Sequence, residues 1–431
     1  MSKTPNAGMA AAPRPPHDAA RHAARDAARE MATDAATIWD AAREAEFLAR
    51  IDHLVRHELG PRANAVGETD GFAWDTFRLL AREGVFATAF PARFGGTEAP
   101  MRVRVRLIEA VAGVCSAAAA MITGTDLSGR PIVAGSEVLA QAFVPRLATG
   151  ELQSAFALTE RRAGSDVAGL TTTAQRDGDH FVLNGAKKFI TRAPVADLFI
   201  VVARTGPGRR GGKDLSAFLV DRDTPGLTVG PLQPKMGWYG SPISEVLLHD
   251  ARVPAARMLG AEGQGFAIAQ DTLVRARIGH AAIAIGRAQG ALDMAAHYAG
   301  LRRTFDRPLG EHQGVQWMLA DMHTQLEAAR CLTRNCAELY DTGSPDTPVY
   351  ASMAKQYATD LGMRVTTDCL QLFGGNGYLK TFPLERFMRD AKLNQIGEGS
   401  SEIHKTVIGR WVVQRAAARR HPCLELEGLE L

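Results

Sequence analysis

The chain of 431 residues is 46% hydrophobic, enough for a large core divided among two or three domains. Its 50 Lys and Arg stand against 47 Asp and Glu, a net charge of +3 with the signs interspersed and no long basic stripe, so nucleic acid is not the default partner. No run of eighteen apolar residues exists, so no membrane span is expected, and five scattered cysteines with neither metal spacing nor a disulfide framework suit a reducing, cytoplasmic setting.

In chain order, residues 1–33 are rich in Ala, Arg and Pro and lack the apolar core of a secretory signal. Asp18, Asp26 and Glu30 interrupt what would otherwise resemble an organellar transit peptide, so a disordered or loosely helical extension is expected, with a similar tail over 416–431. Residues 34–153 carry a helical pattern: "FRLLAREGVFATAF" runs into the Pro/Gly break "PARFGG", and "EVLAQAFVPRLATGE" is closed by Gly150. Over 154–255 the period becomes strand-like. In "TTTAQRDGDHFVLNGAKKFIT", Asp177-Gly178 and Asn184-Gly185 both read as turns around a β run, while "LFIVVAR" and "SAFLVD" read as buried strands. Over 256–415 helices return, with stripes at Val315, Met318, Leu319, Met322, Leu326 and Ala329, and at Met353, Tyr357, Leu361 and Val365, that predict core faces rather than cofactor boxes. Helices, sheet, helices make an α+β protein, mostly α, with a central β domain.

Several short stretches carry groups suited to chemistry. "LNQIGEGSSEIHK" sets Glu398 between two glycines, which on its own reads as an inter-helix loop with a surface acid. "LFGGNGY" offers Gly374, Gly375 and Gly377, which permit positive φ and close backbone approach to a ligand, although a helix cap explains the first of them. "ALTERRAGSD" also reads as a capped turn, and "RRTFDRPLGEHQ" as a solvated charged loop. There is no GxGxxG after a strand, no GxxxxGK[ST], no HExxH, no paired CxxC and no GxSxG, so Rossmann, P-loop, zinc-protease and serine-hydrolase readings lack support.

Taken in order, "FALTERRAGSD", "NGAKKFIT", "EVLLHDARVP", "RRTFDRPLGEHQ", "QLFGGNGY" and "MRDAKLNQIGEGSSEI" resemble the acyl-CoA dehydrogenase family, from about Ala45 to Val413. The resemblance implies a helical N-terminal domain, a central β-barrel-like domain and a C-terminal four-helix bundle, with FAD between the last two. It implies a homotetramer in which a neighbouring subunit completes each FAD site, and α,β-dehydrogenation of an acyl-CoA with electrons passed to an electron-transfer flavoprotein. No metal is implied.

Glu398 matches the family's base, which takes a proton from Cα while hydride leaves Cβ for flavin N5. Phe156, Leu158, Thr159 and Ser165 match the segment that meets the isoalloxazine ring. Phe189, Ile190 and Thr191 match the aromatic-Ile-Thr/Ser motif beside N5. Arg302, Thr304, Phe305, His312 and Gln313 match FAD contacts, with Arg302 on the diphosphate. Gln371, Leu372, Gly374 and Gly375 match a segment that reaches the FAD of the partner subunit, and Ser400, Ser401 and Glu402 match positions at the adenosine half. Ser165, Arg277 and Gly399 match the substrate side.

Five positions mark this chain off within the family pattern. Arg161 and Arg162 stand where Pro and a small residue are common, and Phe189 replaces the commoner Trp. Ala276 occupies the position where some members keep the base on another helix, which leaves Glu398 as the candidate. Gly397 replaces a bulky residue beside the reacting carbons, so an α-branched, cyclic or otherwise bulky short acyl group is expected unless a side chain from "MITGTDLSG" fills the space. The same residues also admit a thioester on a carrier protein, an oxygen-using oxidase or monooxygenase, or a non-catalytic scaffold.

Overall fold

Asp40 starts the first helix: its carboxylate accepts the Arg43 N–H at 2.8 Å and so satisfies one of the free donors at the N-terminus of α1 (Ala41–Leu54). The computed structural model describes residues 39–207 and 212–417, so the expected extension over 1–33 and all but the first two residues of the expected tail lie outside the described residues. After a π-helical turn come α2 (Gly60–Val66) and α3 (Trp74–Arg82). Two 3₁₀ turns cross the Pro/Gly break before α4 (Met101–Ala112), α5 (Ser116–Gly135) and α6 (Glu137–Ala148).

The sheet consists of β1 (Ser154–Ala157), β2 (Thr173–Asp177), β3 (His180–Thr191), β4 (Leu198–Arg204), β5 (Leu215–Asp221), β6 (Leu227–Val229), β7 (Ile243–Pro254) and β8 (Met258–Leu259). Its order is β6-β7-β3-β2-β4-β5-β8, with β1 parallel to β4. Strand β4 explains why "LFIVVAR" is apolar without alternation. Leu198, Ile200 and Val202 pack toward helical residues such as Ile132, Leu139 and Ala269, while Phe199, Val201 and Ala203 face Phe181, Leu183 and Val246 of the curled sheet.

The turn at Asp177-Gly178 forms as expected: Gly178 has φ +62° and Asp177 pairs with His180. Asn184-Gly185 is not a turn. It is a bulge inside β3, where the register against β7 slips between Leu183 and Gly185. Pairing with β7 along nearly the whole of β3 overrides the local turn preference. Asn184 is used across the strands, accepting the Asp250 N–H at 2.8 Å and donating to the Asp250 carboxylate at 3.0 Å. Gly185 sits at φ +152°, and a Cβ there would meet Thr172 Oγ1 at 2.5 Å.

The C-terminal part begins with α7 (Gly265–Leu301), followed by the β9 (Arg303–Thr304) and β10 (Arg307–Pro308) hairpin, α8 (Gln313–Asp341), α9 (Thr347–Phe373), α10 (Leu384–Ile396) and α11 (Ser401–Ala417). Helices α7, α8 and α9 pack on one another, and α10 and α11 lie against α9. On α8, Met322, Leu326 and Ala329 are buried as the stripe predicts. On α9, Leu361 and Val365 are buried as the stripe predicts, whereas Met353 and Tyr357 are half-buried and the inner face at that end is made by Ala351, Ala354, Lys355 and Ala358. Helix α4 reaches α7 so closely that a Cβ at Gly286 would lie 2.0 Å from the Glu109 carbonyl oxygen. Among the described residues, no helix is long and apolar enough to cross a membrane.

Candidate active site

Helix α10 ends at Ile396, and the three residues before α11 make an unusual link. Gly397 is extended (φ −69°, ψ 158°), whereas Glu398 and Gly399 both have positive φ, +55° and +94°. A left-handed glutamate is costly by about 1–3 kcal/mol and persists where surrounding contacts impose it. Those contacts come from three helices. Arg277 of α7 and Lys355 of α9 bear on Glu398 electrostatically, and the Lys355 Nζ donates to the Gly399 carbonyl at 2.6 Å. The His404 ring of α11 lies where a Cβ on Gly399 would meet Nε2 at 3.0 Å.

The electrostatics of this pocket follow from burial. Desolvation raises the Glu398 pKa above the usual carboxylate value, against the pull of Arg277 and Lys355. Desolvation lowers Lys355 to about 8, against Glu398, and brings His404 and the neighbouring His280 down to about 3. Both histidines are therefore neutral at physiological pH. Arg277 keeps a buried Nε without a partner, and the Glu398 N–H has no acceptor among the described residues. Ser401 is buried and donates its hydroxyl to Asp360 at 2.7 Å, so it faces the bundle, while Glu402 is exposed at the start of α11. Sequence reasoning missed Lys355, His404 and His280; a lysine standing among the alanines of the α9 inner face was the legible signal.

The sheet supplies the second part. The Lys188 N–H donates to the Thr159 carbonyl at 2.8 Å and Lys187 Nζ to the Leu158 carbonyl at 3.2 Å, which clamps the loop after β1 to the far end of β3. Phe156 is half-buried, Leu158 and Ile190 are buried, and Ser165 and Thr191 are exposed. Phe189 has φ +59° and is 58% exposed, a strained aromatic held open to the outside at the second bulge of β3. Arg161 and Arg162 are exposed on the same loop.

Two adjacent residues of α5 join these parts. Thr125 accepts from Arg192, directly after Thr191, at 2.9 Å, and Asp126 pairs with Arg275, two residues before Arg277, at 3.1 Å. The Phe189–Thr191 strand end and the Arg277 helix thus converge on one stretch of α5.

The remaining candidates lie elsewhere. Arg302 is 25 residues beyond Arg277 along α7, a separation of about 37 Å at the α-helical rise. The hairpin after it turns at Phe305 and Asp306, with φ +49° and +63°. His312 closes the hairpin through Thr304 Oγ1 and Arg307, both at 3.0 Å, while Gln313 is exposed at the start of α8. Phe305 is 92% exposed, and the Arg302 guanidinium has no hydrogen-bond partner among the described residues. Asn376 donates to the Tyr298 hydroxyl at 3.0 Å, and Tyr298 stacks on Phe373, so the "GGNG" turn shares this end of the bundle. Gln371 is exposed and Leu372 half-buried. A Cβ at Gly374 or Gly375 would meet nothing within 4 Å.

Comparison with known proteins supplies the family. Models of the acyl-CoA dehydrogenase N-terminal, middle and C-terminal domains match residues 41–151, 155–251 and 263–413. The chain belongs to the acyl-CoA dehydrogenase family. It is 40% identical over 372 residues to a cyclohexane-1-carbonyl-CoA dehydrogenase of Geobacter metallireducens, covering 85% of this chain and 96% of that one. Among solved structures, butyryl-CoA dehydrogenase of Megasphaera elsdenii matches with a TM-score of 0.82 at 36% identity, over 86% of this chain and 98% of the other. A chain from a study of the electron transferring flavoprotein of Acidaminococcus fermentans matches with a TM-score of 0.83 at 34% identity, over 86% and 98%. Like its relatives in the acyl-CoA dehydrogenase family, the protein is an oxidoreductase acting on a CH–CH pair.

The acyl-CoA dehydrogenase family is FAD-dependent, and the residues present fit that group. Phe189 and Thr191 offer an open aromatic face and a hydroxyl, Arg277 holds an unpartnered buried N–H, and Arg302 stands free near the open Gly374-Gly375 backbone. Beneath Thr159, Glu160 is fixed by Lys187 Nζ at 2.8 Å and by the N–H and hydroxyl groups of Thr171 and Thr172. Burial alone would raise its pKa, but the Lys187 charge and these donors outweigh it and hold the carboxyl at about 2. A depressed carboxylate pKa stabilises the fold above the unfolded value, near 4.5, and that contribution is lost as pH falls toward 2. Lys187→Met strands a buried carboxylate and is expected to cost about 3–5 kcal/mol. Thermal melts at pH 7 should show a marked drop in Tm, and melts below pH 4 should show the gap to wild type narrowing.

Proposed function

We propose that this protein α,β-dehydrogenates a short acyl-CoA with Glu398 as the base and FAD as the hydride acceptor. The observation that carries the reading is Glu398 itself, a left-handed, half-buried carboxylate between two glycines whose pKa burial raises. A carboxylate near its ordinary value is a weak base, and a raised pKa brings it toward the working pH. Its carboxylate takes the Cα proton of the thioester. Its own N–H, with no acceptor among the described residues, is suited to the thioester oxygen as negative charge develops there. When bound, FAD supplies the acceptor for the Cβ hydride. Phe189, Thr191 and Thr159 are the residues that would hold the ring, with Ser165 and Arg277 toward the substrate. Glu398→Gln keeps the shape and loses the proton acceptor, so flavin reduction by substrate should fall by ~10²–10⁴-fold. Wild-type rates in anaerobic stopped flow would refute the assignment.

Arg302 lies about 37 Å beyond Arg277 along α7, at the far end of the bundle, which supports a shared arrangement. Arg302, Thr304, Phe305, His312 and Gln313, with Gln371, Leu372, Gly374 and Gly375, would serve the FAD of a neighbouring copy in a homotetramer. Arg302→Ala is then expected to lower FAD retention and oligomer stability together, because a lost charge-assisted contact to diphosphate is also a lost inter-subunit contact. Flavin content and sedimentation read both at once. Electron-transfer flavoprotein is the proposed acceptor, on the strength of the family and of the structural likeness to the Acidaminococcus chain.

The substrate reading is an α-branched or cyclic short acyl group. A Cβ on Gly397 would touch only the Leu393 carbonyl oxygen, at 3.5 Å, so the position beside the base is open rather than filled by another side chain. The likeness to a dehydrogenase of cyclohexane-1-carbonyl-CoA points the same way. Gly397→Tyr should lower kcat/KM for a branched or cyclic acyl-CoA relative to a linear one by a factor corresponding to ~1–3 kcal/mol. An unchanged ratio would remove Gly397 from the specificity argument.

A further inference from the structure

Glu398 is held by a residue that lies on neither helix joined by its loop. Lys355 projects from the middle of α9, between Ala354 and Ala358, and is fully buried. Its one hydrogen bond goes to the carbonyl of Gly399, the residue after the proposed base. A buried ammonium is expensive unless it is bonded and paired. A lysine buried there, with one backbone acceptor among the described residues, supplies a bond and a charge that an apolar residue of the same length does not.

The groups facing the loop can be named from every element packed on it. Helix α7 brings Arg277 and His280, α9 brings Lys355 and Asp360, α10 brings the neutral Asn394 and Gln395, and α11 brings His404 and Glu402. Asp360 is occupied by Ser401, Gln356 and Gln395, and Glu402 is exposed. With both histidines neutral, the buried charges that bear on the Glu398 carboxylate are Arg277 and Lys355.

We propose that Lys355 is the positioning residue of the base: its bond to Gly399 locks the left-handed Glu398–Gly399 turn, and its charge, held beside that turn, favours the carboxylate form of Glu398. This rests on Glu398 acting as the base. Lys355 is protonated up to about pH 8, so its charge is in place throughout the acid limb, where Glu398 takes up its proton. An opposite charge at close range lowers a carboxylate pKa by about 1–3 units. Removing it therefore moves the protonation of Glu398 upward in pH.

The test uses the FAD-loaded protein with three substitutions, Lys355→Gln, Lys355→Met and Glu398→Gln, and follows kcat and kcat/KM between pH 5 and 9 alongside Tm and flavin content. Lys355→Gln keeps a donor for the Gly399 carbonyl but not the charge. Its acid limb should move up by about one unit or more, with activity approaching wild type at high pH. Lys355→Met loses both the donor and the charge, so it should show the same shift and a lower kcat at every pH, with KM changed less than kcat. An acid limb unmoved in variants that keep their fold and flavin, while Glu398→Gln is inactive, overturns the role of Lys355 alone. An active Glu398→Gln overturns the base assignment and this proposal together. If neither Lys355 variant folds, Lys355 is a residue of core stability and the positioning role is withdrawn.

Discussion

The buried carboxylate of Asp126 is the contact on which the placement of everything else depends. It lies in α5 between Arg104 of α4 and Arg275 of α7, at 2.8 and 3.1 Å, and Tyr340 of α8 takes a second bond from Arg275 at 2.8 Å. Burial would raise the pKa of Asp126, but the two guanidiniums outweigh it and hold the acid ionised. Charges taken out of water are tolerated only in well-satisfied geometry, so this cluster permits little sliding of α7 against α4 and α5. One residue before Asp126, Thr125 receives Arg192 from the end of β3. The helical layer, the sheet and the bundle are registered at a single turn of α5, and the strand end of Phe189 is set against the helix of Arg277 as a consequence.

Within that frame the pocket around Glu398 is built from an imbalance of charge. Buried cations from α7 and α9 face one carboxylate, and two histidines that might have added charge are kept neutral by their own desolvation. The same burial raises the acid and lowers the lysine, so the two groups approach each other in proton affinity from opposite sides. Such a pocket suits a step in which a proton arrives at a carboxylate while negative charge builds on a nearby oxygen. The strain at Glu398 belongs to the same design, because a left-handed turn presents its side chain and its own N–H from one short stretch of backbone.

The length of α7 has its own consequence. An unbroken 37-residue helix carries Arg277 near the sheet and Arg302 at the opposite end of the bundle. Part of the second cluster is open to the outside: Phe305 is almost wholly exposed, and a Cβ at Gly374 or Gly375 would meet no described residue within 4 Å.

Much of this was legible in the residues. The helix–sheet–helix order follows from hydrophobic period, because period 3.6 and period 2 bury different faces. Glu398 stood out in the residues because two flanking glycines strip the backbone of bulk, whereas the space beside Gly397, where a Cβ would meet only the Leu393 carbonyl oxygen at 3.5 Å among the described residues, is a property of the fold. The turn expected at Asn184-Gly185 shows the limit, since local preference yields to nine residue pairs between β3 and β7. What the sequence by itself determined is which segments are helix or strand and which short stretches carry the chemistry. What only the tertiary structure decided is which of those stretches meet. Lys355 of α9 reaches Gly399, and His280 of α7 reaches Asn394, only through helix packing, whereas His404 lies six residues beyond Glu398 in the same stretch. Arg302 matches FAD contacts in sequence just as Phe189 does, yet about 37 Å of helix keeps it, at the "GGNG" end of the bundle, away from Arg277.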